Sequence, residues 1–135
     1  MQDQEIEIKL ENSPLILVAE DEALVREVAV MIIEEIGGRV LEAEDGLQAV
    51  ELLKENLEEV KAVVLDFSMP RLDGFEAAKQ IRDLNKNLPI IICSGLQCTK
   101  KDSDLEKLGL IRFIAKPYEM VEFLTALSSA CAAAG

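Results

Sequence analysis

From Pro14 onward the chain alternates between short, continuous apolar runs and stretches whose apolar residues recur at helical spacing. Leu15–Ala19 reads as a strand buried on both faces, because an unbroken apolar run of that length leaves no polar side to meet water. The next segment sets Leu24, Val28 and Ile32 on one stripe and Val25, Ala29, Ile32 and Ile36 on its neighbour, and Gly37-Gly38 stops it. That is an amphipathic helix with a glycine end. A strand near Arg39–Ala43 then leads through Asp45-Gly46 into a helix carrying Leu47, Val50, Leu53 and Leu57. Residues 62–65 form the next buried strand, and Gly74–Leu84, with Phe75, Ala78 and Ile81, the next helix. Residues 89–93 form a fourth strand, followed by a weaker helix at 102–108 that a capping box at Thr99 and Asp102 opens. Ile111–Ala115 is the fifth strand and 119–130 the last helix.

Five strands, each followed by a helix, predict a parallel sheet covered on both faces, wound as a three-layer α/β sandwich. In such folds ligands sit beyond the carboxyl ends of the strands. The residues just past each strand are therefore the ones to read. Glu20-Asp21-Glu22 follow the first, Asp66-Phe67-Ser68-Met69-Pro70 the third, Ser94-Gly95 the fourth and Lys116-Pro117 the fifth.

Composition narrows the chemistry. At 135 residues the length suits one domain, and 50% apolar residues exclude a disordered segment. The formal charge of −12 repels phosphate backbones and anionic lipid, so neither direct nucleic-acid nor membrane binding is expected. The apolar runs are far shorter than the roughly 20 residues that span a bilayer. The opening MQDQEIEIKLENS is acidic and polar, unlike a signal or transit peptide, and Cys93, Cys98 and Cys131 lack a CxxC spacing; the expected location is cytoplasmic. Residues 1–13 read as a lead-in or linker, 14–131 as the domain and 132–135 as a tail. Histidine is absent, which removes Ser-His-Asp and Cys-His catalysis and histidine-bound zinc.

Taken singly, the strand-end residues have plain structural roles: an acid before a helix caps it, a lysine before proline is a solvated loop residue, a Ser-Gly is a turn. Asp66 is harder to dismiss, because a charge ending a fully apolar strand needs a partner. Together they point further. Clustered carboxylates repel unless a cation sits among them, and hard oxygen ligands suit Mg²⁺. A lysine opposite them neutralises an incoming phosphoryl group.

These residues carry a family resemblance over 14 to about 130. The stretch Asp66-Phe67-Ser68-Met69-Pro70-Arg71-Leu72-Asp73-Gly74 is similar to the D-x-x-M-P-x-x-D-G of the receiver domains of two-component response regulators, with the acidic pair before it and Ser94-Gly95 and Lys116-Pro117 after it in order. The resemblance implies a flavodoxin-like sheet in the order 2-1-3-4-5. It implies that Asp66 accepts a phosphoryl group from a partner's phosphohistidine, and that Glu20, Asp21, Asp66 and the Ser68 backbone carbonyl hold Mg²⁺. The family usually has aspartate where Glu20 stands. Ser94 matches the switch hydroxyl, Lys116 the lysine that pairs with the acceptor and its phosphate, and Phe113 the aromatic that rotates on activation. The same resemblance assigns Ser68 and Leu96 to the path of the water that removes the phosphate.

The implied partners are a histidine kinase or a histidine phosphotransfer domain, since a chain without histidine cannot be its own donor; a monomer or weak dimer is expected. Whether the receiver stands alone or belongs to a hybrid sensor kinase is open, with the hybrid origin preferred. Rival readings fare worse. A Mg²⁺-dependent aspartyl-nucleophile phosphatase of the haloacid-dehalogenase type needs a second aspartate two positions after the first, where Ser68 stands. A nucleotide or flavin binder lacks any G-x-G or P-loop pattern. A degenerate receiver, acting only as an interaction module, is disfavoured because every expected position holds a competent residue type.

Overall fold

Strands and helices alternate along the chain as the periodicity predicts. The computed structural model describes residues 9–94, 111–115 and 120–134. Its elements are β1 (Leu15–Ala19), α1 (Ala23–Glu35), β2 (Arg39–Ala43), α2 (Gly46–Glu55), β3 (Val60–Asp66), α3 (Gly74–Leu84), β4 (Ile90–Ser94), β5 (Ile111–Ala115) and α4 (Met120–Ala134). All neighbouring strands pair in parallel in the order β2-β1-β3-β4-β5. The helix expected at 102–108 lies outside the described residues.

Period-two alternation sorts the strand side chains into two cores. Leu15, Leu17, Val63, Leu65, Ile90 and Ile92 face α2 and α3, where Ala49, Leu53, Phe75 and Ile81 close the layer. Ile16, Val18, Val64, Ile91 and Ile114 face α1 and α4, against Ala29, Ile33, Phe123 and Leu127. Among the described residues two helices cover each face, and β1, β3 and β4 are buried throughout apart from Lys61.

Several details differ from the sequence reading, among them that α4 runs to Ala134, so residues 132–134, read as a tail, are helical. Strand β2 is only partly buried, because it forms one edge of the sheet and has a neighbour on one side alone. Strand β3 starts at Val60 rather than residue 62, and α2 ends at Glu55, with Leu57 beyond its end but still packed on the core. Of the two stripes on α1, the core takes the one with Ala29 and Ile36 and adds Ile33, while Leu24 and Val28 stay 77% and 53% exposed.

The stretch before β1 also touches the core. Leu10 is 8% exposed among the α1-side residues, and its N–H donates to the Ile36 carbonyl at 2.7 Å. Burial of a leucine contributes about 2 kcal/mol.

Candidate functional site

Two strand ends make the site. β1 and β3 are neighbours, with Ala19 level with Leu65, so the residues that follow them emerge side by side. One carboxylate oxygen from each of Glu20, Asp21 and Asp66 lies within 4.8 Å of the others. Glu20 and Asp66 are 5% and 7% exposed, whereas Asp21 is open to solvent. Beneath them Val18, Ala29, Val64 and Cys93 line an apolar floor. Like charges this close repel, and a hard divalent cation among them relieves the repulsion.

Backbone hydrogen bonds position Glu20 and Asp66. The Glu22 N–H donates to Glu20 Oε2 at 3.1 Å, so Glu20 occupies the entry of α1, where Glu22 makes no side-chain cap. Arg26 reaches back one turn: its Nη1 donates to the Glu20 carbonyl at 2.7 Å, while Nε donates to Glu42 Oε1 at 3.2 Å. Asp66 ends β3 in register with Cys93, and the following Phe67 N–H donates to the Cys93 carbonyl at 2.8 Å. Ser94, one residue on, is 2% exposed and level with Ala115 of β5. Lys116 would follow Ala115 directly, but Lys116 and Leu96 lie outside the described residues, and for Phe113 only the strand backbone is described.

The loop 67–73 carries Ser68. Phe67 and Met69 turn into the core, leaving Ser68 exposed between them. The loop closes where the Gly74 N–H donates to the Phe67 carbonyl at 2.8 Å. Only glycine fits there: a Cβ would stand 2.7 Å from the Asp66 carbonyl oxygen and 2.8 Å from the Phe67 Cα.

The outer part of the loop is strained and clamped. Arg71 has φ 67°, and the Leu72 N–H donates to the Pro70 carbonyl at 2.7 Å, a turn of three residues. A non-glycine residue in that region costs about 1–3 kcal/mol. Its guanidinium donates to Asp45 Oδ2 through Nε at 3.0 Å and Nη2 at 2.6 Å, while Asp45 Oδ1 accepts the Gln48 N–H at 2.8 Å and so caps α2. Burial alone raises the Asp45 carboxyl, but the Gln48 N–H, the Arg71 fork and charge, and the Leu47 N–H together hold it below its ordinary value.

The structure thus brings Glu20, Asp21 and Asp66 together and puts Ser68 and Ser94 on the same edge of the sheet. Sequence reasoning gave no site role to Arg26, Asp45 or Arg71. The Arg71 partner is 26 residues away in the chain, and no local pattern couples them.

A sequence model of the response regulator receiver domain matches residues 16–128. The chain is 34% identical over 114 residues to the chemotaxis protein CheY of Bacillus subtilis, covering 84% of this chain and 93% of that one. It is 33% identical over 123 residues to the sensor histidine kinase CheAY of Helicobacter pylori; there the match takes in 87% of this chain and spans 15% of the kinase. A chain in the solved CheX–CheY–BeF3–Mg²⁺ complex of Borrelia burgdorferi superposes with a TM-score of 0.79 at 26% identity, over 86% of this chain and 87% of that one. A match across almost the whole sheet, on a fold with the same layering, makes this chain a member of the response regulator receiver domain family, the receiver modules of two-component signalling.

Proposed function

We propose that the chain takes a phosphoryl group from a partner's phosphohistidine onto Asp66 and signals through the resulting change of state. The observation that carries this reading is the meeting of the Glu20, Asp21 and Asp66 carboxylates within 4.8 Å at one sheet edge. The donor set is all oxygen, and Glu20, Asp21, Asp66 and the Ser68 carbonyl are the groups that would hold Mg²⁺. When bound, Mg²⁺ neutralises the crowded carboxylates and the charge on the phosphoryl oxygens.

In the transfer, an Asp66 carboxylate oxygen forms a bond to phosphorus as the P–N bond of the donor breaks, and the imidazole leaves with the electron pair and picks up a proton. Lys116 supplies positive charge for the phosphoryl oxygens, and the Ser94 hydroxyl donates a bond that exists only after transfer. Such a bond is what moves a two-state equilibrium. Phe113, on the strand beside Ser94's, is the residue that would report the change outward. The chain is a signalling module in this reading, acting on itself rather than turning over substrate.

Because the chain has no histidine, the donor is a separate histidine kinase or phosphotransfer domain that must touch the surface next to Asp66. The start of α1 supplies one: Leu24, Val28 and Met31 recur along one stripe and are 77%, 53% and 67% exposed. A cytoplasmic setting is where such donors work. Among the described residues no helix is long and apolar enough to cross a membrane.

Incubation with acetyl phosphate, followed by intact-mass measurement, tests the assignment. Wild type gains one phosphoryl group only with Mg²⁺ present, and Asp66→Asn gains none. Equal labelling of the two proteins removes Asp66 as the acceptor.

A further inference from the structure

We propose that the Asp45–Arg71 ion pair is a positioning brace for the Asp66 site, setting where the loop 67–73 holds the Ser68 carbonyl. The inference rests on the reading above, in which that carbonyl joins the three carboxylates in holding Mg²⁺. The inner half of the loop needs no brace. Phe67 and Met69 are anchored in the core, and the Phe67 N–H and carbonyl are bonded to Cys93 and Gly74. The outer half is held more loosely: Pro70 and Arg71 are exposed, Leu72 is half-buried against the core, and Asp73 caps α3 through the Glu76 N–H. It also carries the positive φ of Arg71. Left to itself, such a turn relaxes, and the Ser68 carbonyl lies only three residues away.

What restrains it is the N-terminus of α2. Asp45 divides its oxygens between two elements: Oδ1 caps α2 through Gln48, and Oδ2 receives both Arg71 nitrogens. Beside this pair the backbones touch, since a Cβ on Gly46 would stand 2.1 Å from the Leu72 carbonyl oxygen. The Asp45 side chain is 11% exposed and that of Arg71 60%, so the carboxylate is sheltered while the guanidinium meets it from the solvent side. The helix α2, docked on the core through Ala49, Val50 and Leu53, thereby becomes the rigid mount of the loop.

Two substitutions separate the brace from simpler effects. Asp45→Asn keeps a capping oxygen, because asparagine caps helices as well as aspartate does, but it withdraws the carboxylate from Arg71. Arg71→Gly removes the fork and accepts the positive φ without strain. As charges the two act oppositely: losing Asp45's negative charge weakens a distant cation site, and losing Arg71's positive charge strengthens it. A brace predicts the same sign for both.

The experiment is calorimetric titration of the full chain with Mg²⁺ alone, beside thermal melts in chelator. Both variants should bind Mg²⁺ at least threefold more weakly than wild type, and the double variant no more weakly than the worse single one. Arg71→Lys, with charge but no fork, should fall between. Opposite signs for the two variants, or melting points lowered with affinities within twofold of wild type, overturn the brace while leaving the carboxylate site intact. A wild-type chain that takes up no Mg²⁺ overturns the site reading, and the brace with it.

Discussion

Gly74 shows how one residue type is demanded by a site it does not chemically join. Its missing side chain is what lets α3 start directly against the Asp66 and Phe67 backbone. Any Cβ there pushes on backbone atoms that yield little, so Gly74→Ala should destabilise the fold by about 1–3 kcal/mol, the range for overpacking a tight core. It should also slow phosphorylation of Asp66 with acetyl phosphate several-fold. Urea unfolding and the labelling rate measure the two effects, and a change below about 0.5 kcal/mol would show that the chain shifts to make room. The D-x-x-M-P-x-x-D-G pattern made Gly74 visible in the sequence, but not why it is glycine. Nothing in the local sequence marked Arg71 as strained or Asp45 as its partner, because the pair exists only after α2 and the loop dock.

Helix α1 carries the clearest lesson at the scale of an element. Its periodicity allowed two apolar stripes, and 3.6-residue spacing alone does not choose between them. Packing set Ala29, Ile33 and Ile36 against the sheet and left Leu24, Val28 and Met31 outside. An apolar stripe that starts three residues after the acidic pair suits a donor's helical surface. Val28→Asp should therefore cut transfer from a phosphorylated histidine phosphotransfer domain at least tenfold while leaving labelling by acetyl phosphate unchanged. Stopped-flow or gel-based transfer rates with both donors decide it. Equal losses with both would mean that the change disturbs the acceptor site and not docking.

For the whole molecule, the site is a load on stability. The chain carries −12 charges, and three of its carboxylates meet where two are buried. Two unit charges near 5 Å repel by about 3 kcal/mol at an effective dielectric of 20, and the exposure of Asp21 reduces this further. Asp21→Asn should accordingly melt higher than wild type in chelator, with a gain on the order of 1 kcal/mol. Saturating Mg²⁺ should reverse the ranking: at a hundred times its dissociation constant a ligand stabilises by about 2.7 kcal/mol, and the variant has lost a ligand group. Calorimetric melts with and without Mg²⁺ check both halves. Identical Mg²⁺ responses in the two proteins would take Asp21 out of the cation site.

The amino-acid sequence by itself determined the succession of strands and helices, the doubly wound parallel sheet and the strand ends where chemistry-bearing residues gather. Those properties are written in contiguous residues: apolar runs for strands shielded on both faces, helical spacing for the layers above and below, glycines where helices stop or backbones touch. The same local reading could list Glu20, Asp21 and Asp66 together because a parallel sheet delivers its strand ends to one edge. Tertiary structure alone decided which stripe of α1 is buried and that Leu10 packs under the α1–β2 corner. It also decided the Asp45–Arg71 and Arg26–Glu42 contacts around the site. These depend on distances between elements far apart in the chain, and a side chain's partner across such a gap is settled only when the cores on both faces of the sheet close.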